Sequence, residues 1–163
     1  MTARPCPDIL FYRISLLTRH IAHVRDNCER LAVYLWENGE CDLSLELIAR
    51  GHRHDQSKFT GIEWAHLHAD IKESSPHLFQ EALAHHHKHN DHHPEYWTSI
   101  QRMPRVSLAE FVCDSLARSQ EFGSDIWQWM LEVAMPRYGL TEDSPVYEMI
   151  CEFLSHLLER RFS

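Results

Sequence analysis

The feature that most constrains the fold is an apolar stripe near the start of the chain. From Leu10, apolar side chains recur at Ile14, Leu17, Ile21, Val24, Cys28, Leu31 and Leu35. The steps alternate between four and three residues, which is the period of one helix face. One long helix is therefore expected from Pro7-Asp8, with Asp8 as N-cap, to Asn38-Gly39. His20 is three residues after Leu17 and four before Val24, so it lies beside the buried stripe, while His23 is turned further towards the edge.

The remaining chain repeats the helical theme. Asp42 is placed to cap a second helix that runs through Gly51 to the pair His54-Asp55. A third is expected from Thr60 to Lys72, and Ser75-Pro76 opens a fourth that carries the histidines from His85 onward. On it His86 and Asn90 share a face, as do His85 and His89. The run Asp91-His92-His93-Pro94 should leave the helix, because a residue before proline is biased away from helical geometry. Ser107, with Glu110 three positions on, has the pattern of a capping box for a fifth helix. Asp114 lies beside the apolar face of that helix. A sixth passes through Ile126, Trp129, Met130 and Val133 and is expected to end at Pro136 and Gly139; the last starts at about Ser144. No strand-like alternation or internal repeat is present, so the fold class is all-α, one compact domain over residues 1–163 with about six or seven helices.

Composition narrows the function classes. The length, 163 residues, suits one domain, and a 44% apolar share is that of a globular core. A net charge of -8 without any Lys/Arg-rich run argues against duplex nucleic acid as a partner. A small anionic substrate stays within reach, because bound cations can reverse the local field. The five cysteines form no CxxC pair, so neither a disulfide framework nor a zinc ribbon is indicated, and a reducing compartment is expected. No apolar run approaches the length of a membrane span and no leader-like apolar region is evident. The expectation is a soluble cytoplasmic protein, a monomer or a homodimer, with no membrane partner.

The chemistry is concentrated in the middle. Eleven of the fourteen histidines fall between His52 and His93, and the adjacent pair His54-Asp55 offers a divalent cation a neutral nitrogen and an anionic oxygen. A metal in a helical protein is usually gripped from several facing helices, so partners are expected elsewhere in the chain. His85, His87 and His89 read as solvated helix residues, Trp64, Trp97, Trp127 and Trp129 as core, and Glu110 as serving its helix N-terminus.

Three strings together resemble a known family. His20-Ile21-Ala22-His23-Val24 with Leu31-Ala32, then His54-Asp55-Gln56-Ser57-Lys58, then Phe111-Val112-Cys113-Asp114-Ser115-Leu116-Ala117, resemble the metal-ligating segments of the HD-domain metal-dependent phosphohydrolase superfamily. Lys58, Glu63, Asn90 and the string His92-His93-Pro94-Glu95-Tyr96-Trp97 look like a short branch of it. The resemblance implies that His20, His54, Asp55 and Asp114 ligate one metal. His86, His92 and His93 are by position the candidates for holding a second. No Gly-Tyr-Pro string follows His92-His93, so the cyclic-dinucleotide substrate of one branch is not expected.

The ligand types suit Mn, Fe, Co, Ni or Zn without selecting among them. A metal with an open position would supply hydroxide for attack on a phosphoester. Lys58 would bind a phosphate oxygen, and Glu63 would orient the water or act as general acid or base. The first expectation is thus a metal-dependent hydrolase cleaving a phosphate ester of a small molecule such as a nucleotide. A non-haem di-iron oxygenase on the same fold is the alternative, favoured by a full binuclear ligand set. A closed, non-catalytic metal-binding regulatory module is the third reading.

Overall fold

The computed structural model describes residues 6–159. Helix α1 (Pro7–Glu37) is the axis of the molecule, about 46 Å long at 1.5 Å per residue. It begins two residues earlier than a cap at Asp8 would have it: Cys6 is the N-cap and Pro7 takes the first helical position. α2 (Cys41–Gly51) likewise begins before Asp42, on the N-cap Glu40. In both cases the aspartate lies in the first helical turn, where its charge faces the positive end of the helix dipole. Between the two helices, Gly39 at φ +83° reverses the chain, a conformation that glycine adopts without steric penalty.

α2 returns along α1, and α6 (Arg105–Phe122) packs on both. α9 (Pro145–Glu159) closes the bundle against α1 and α6. The stripe predicted on α1 is buried in its second half, at Val24, Cys28, Leu31 and Leu35, whereas Leu10 and Ile14 remain exposed. The contact between α1 and α2 depends on Gly51: a Cβ there would lie 2.7 Å from Cys28 Cβ. Only a glycine lets the helices meet so closely just ahead of the His-Asp pair.

A second layer is made of α3 (Gly61–His66), α4 (Ala69–Ser74) and α5 (Pro76–His89), with α3 and α4 each packed on α5. A single helix was expected over 60–72, but it breaks at Leu67-His68. The His68 ring donates to the Trp64 carbonyl, 2.6 Å away. That carbonyl is the acceptor a continuing helix would give to the His68 backbone N–H. Counting the run 126–138 as one, the described residues therefore hold eight helices rather than six or seven. That run is α7 (Ile126–Trp129), a π turn (Met130–Ala134) and α8 (Met135–Tyr138). Pro136 does not end it as expected. The π turn accommodates its missing N–H, and the helix stops at Gly139, the other expected end, which takes the left-handed conformation.

Candidate metal centre

The two layers meet around Asp55. The residue is the one non-glycine at positive φ (57°) among the described residues, a backbone state that costs energy and that aspartate tolerates better than most. The turn aims its two carboxylate oxygens at opposite groups of imidazoles. Oδ2 lies 3.4 Å from His54 Nε2 and 3.6 Å from His20 Nε2. Oδ1 lies 3.3 Å from His86 Nε2 and 3.6 Å from His92 Nε2. Asp114 completes the first group, its Oδ1 lying 3.1 Å from His20 Nε2. His93 completes the second, with its Nε2 2.8 Å from His86 Nε2. His20, His54, Asp55, Asp114, His86, His92 and His93, scattered over 95 positions of sequence, are thus brought together.

Their inner atoms are not satisfied within the protein. His20 Nε2, His54 Nε2, His92 Nε2, Asp55 Oδ1 and Asp114 Oδ1 are all buried without a hydrogen-bond partner. Buried polar atoms are ordinarily paired, and here five unpaired ones converge on one place. The outer nitrogens explain which way the lone pairs point. His20 Nδ1 donates to Glu121 Oε1, His54 Nδ1 to Glu110 Oε1 and His86 Nδ1 to Glu63 Oε2, each at 2.8 Å. Glu110 Oε1 also lies 3.4 Å from His92 Nδ1. A proton held on Nδ1 leaves Nε2 as an inward lone pair, the usual arrangement behind a metal-ligating histidine.

Residues 12–160 match DUF5662, a family of unknown function. The chain belongs to that family. The matched span contains every residue of the centre. No curated protein and no solved structure matches the chain.

The electrostatics of this family member's centre point the same way. Five carboxylates surround it, Asp55, Asp114, Glu63, Glu110 and Glu121, against the three cations paired with them, Lys58, Arg50 and Arg118. At least two negative charges are left over, in a place where an unpaired charge is costly. Part of the excess falls on His54. Burial disfavours its charged ring, but Asp55, Glu110 and Asp114 outweigh burial and push its pKa up to about 10. Burial likewise opposes ionisation of Asp55, yet His54 and Lys58 hold it well below the usual carboxylate range. On the other side, burial and the Lys58 charge push His86 down to about 3, and burial with His92 does the same to His93. His86 and His93 are thus neutral imidazoles facing an anionic carboxylate, ready for a divalent cation, whereas His54 would give up its Nε2 proton to one; with that exchange the residues fit the metal that the sequence implied.

Several placements differ from the sequence reading. Ser107 and Glu110 form no capping box: α6 starts at Arg105 on Pro104, with no side-chain cap. Ser107 instead donates to Asp91 Oδ2, and Glu110 binds His54 and, through Oε2, Arg50 at 2.6 Å. Glu63 has both oxygens occupied, by His85, His86 and Ser57, so it sits behind an imidazole. His85 is tied to Glu63 rather than simply solvated. Lys58 reaches Asp55 Oδ2. Trp97, Trp127 and Trp129 pack on the core as expected, whereas Trp64 stands beside Phe59 and His68. Glu121 carried no sequence expectation, although Glu110, Asp114 and Glu121 are spaced four and seven apart on one stripe of α6.

Proposed function

We propose that this chain is a metal-dependent hydrolase of a phosphate ester in a small molecule, with an HD-like centre for two divalent metals that share Asp55. The observation that carries the reading is the convergence of five buried, unpaired donor atoms, with three of the rings around them held at Nδ1 by carboxylates so that Nε2 points inward. His20, His54, Asp55 and Asp114 would hold one ion, and Asp55, His86, His92 and His93 the other. A divalent metal bound there supplies a Lewis acid for a phosphoryl oxygen and acidifies a coordinated water towards neutrality. The chain's own residues prepare the rest. Glu121, Glu110 and Glu63 hold the Nδ1 protons, so the imidazoles neither rotate nor present the wrong tautomer. Lys58, an ammonium already at Asp55, would take a phosphate oxygen as a point charge. Glu63, with both oxygens engaged, positions His86 and does not handle the water.

One observation favours the oxygenase alternative: the seven residues make a full binuclear set, as two irons activating oxygen would require. A closed regulatory site is disfavoured, because Asp114 and His93 are only half-buried and leave a side open to solvent. The test is to load the protein with Mn, Co, Zn or Fe and to assay a panel of phosphomonoesters and phosphodiesters alongside oxygen uptake. Hydrolysis that disappears together with metal in Asp55→Ala is expected. Oxygen uptake by the iron form without hydrolysis by any metal form would replace the hydrolase reading.

A further inference from the structure

Of the seven converging residues, Asp114 and His93 are the ones that are not fully buried, so the centre has a partly exposed flank at these two. That side has a rim. The His87 ring lies 4.8 Å from the His93 ring, and His87, His93 and Glu95 each bring a donor atom within 4.8 Å of the others. Above them stands the tip of α8. Arg137 forms an ion pair with Glu95 Oε1, and the Tyr138 hydroxyl donates to the same oxygen at 3.3 Å. The π turn just before Pro136 sets the direction in which these two side chains leave the helix; such turns often occur at functional positions.

Arg137 is the rim's most exposed charge, ahead of its partner Glu95. Arg137 is 52% exposed and bound to one carboxylate oxygen, with its guanidinium lying over the Tyr138 ring at 5.2 Å. Its remaining N–H donors form a planar fork suited to two oxygens of a phosphate. The tie between Arg137 and Glu95 is a surface pair of small net strength that a better-matched oxyanion can displace.

We propose that Arg137 is an anion subsite at the mouth of the centre, which exchanges Glu95 for a phosphate oxyanion of the substrate arriving past Asp114 and His93. The subsite rests on the metal reading above and adds to it a receptor for the substrate's charge. Glu95 is then a competitor for the subsite and not part of it. The two residues must therefore have opposite effects on anion affinity.

The experiment titrates the Co(II)-loaded full chain with inorganic phosphate, following the cobalt visible bands, with metal content and melting temperature measured for each variant. Arg137→Ala should weaken phosphate about tenfold, which is roughly 1.4 kcal/mol, and Arg137→Lys should recover part of the loss. Glu95→Gln should tighten phosphate several-fold. Weakening in both variants would mean that the ion pair only holds the rim together, and would overturn the subsite. Loss of a metal equivalent in Glu95→Gln would overturn it too, by making His87, His93 and Glu95 a cation site. Phosphate that does not bind the metal-loaded wild type, or binds it indifferently to Arg137, contradicts the subsite alone. Wild-type protein that takes up no metal contradicts the proposed function and the subsite with it.

Discussion

Removing metal should loosen one layer of this molecule and spare the other. Between residues 56 and 99 five side chains are buried: Ala82, Pro94, Glu63, His86 and His92. Three of the five are polar and belong to the centre or to the carboxylate behind it. A buried alanine methyl is worth about 0.8 kcal/mol, so apolar burial alone holds this layer weakly. The bundle of α1, α2, α6 and α9, by contrast, owns nearly all of the large buried side chains, among them Leu31, Leu35, Leu108, Phe153 and Leu154. An ion that binds only the assembled layers, present at about a thousand times its dissociation constant, stabilises them by roughly 4 kcal/mol. Hydrogen exchange read by mass spectrometry, with excess zinc or manganese and then with chelator, is the assay. Amides of α3 and α5 and of the loop at 90–93 should lose about a thousandfold of protection on chelation, while the middle of α1 and α6 changes far less. An equal change in every helix, or no change at all, would refute the claim that the centre pins this layer to the bundle.

Three other outcomes follow from particular contacts. Glu110→Gln, which replaces the acceptor shared by His54 and His92, should weaken metal binding about 10–100-fold with saturation still attainable; an affinity within threefold of wild type would reduce Glu110 to a counter-ion for Arg50. Protein stripped of metal should be most stable near pH 6.5, as followed by chemical denaturation across pH. His86 and His93, held down to about 3, take up protons on unfolding below that point, and His54, pushed up to about 10, gives one up on unfolding above it. Each proton changes stability by about 1.4 kcal/mol per pH unit, so a curve that rises steadily from pH 6.5 to 9 would contradict the assignment. Gly51→Ala forces a methyl to 2.7 Å from Cys28 Cβ and should cost about 1–3 kcal/mol of stability; a melting temperature equal to wild type would show that α1 and α2 have room to part.

Much of this was legible in the sequence because it depends on local periodicity. The stripe on α1, the stop at Asn38-Gly39 and the proline opening α5 follow from spacing and steric rules that need no partner. The break at His68 was not legible, since it arises when a side chain takes a backbone acceptor that the helix pattern also claims. Glu110 was misread for a similar reason. Ser107 followed by Glu110 satisfies the capping-box spacing, and only the approach of Arg50 and His54 from α2 and the turn after it draws that carboxylate inward. Glu121 could have been found from the four-and-seven spacing of acids on α6. The left-handed turn at Asp55, which splits the imidazoles between its two oxygens, has no counterpart in the residue pattern around it.

The most direct test of the account is the metal content of protein purified without a His-tag or chelating column, measured by elemental analysis beside Asp55→Asn. The two-ion reading predicts about two equivalents of transition metal in the wild type. It predicts loss of most of both in the variant, because one carboxylate serves both groups of imidazoles. Wild-type protein that stays below about a tenth of an equivalent after incubation with Mn, Fe, Co and Zn would contradict it.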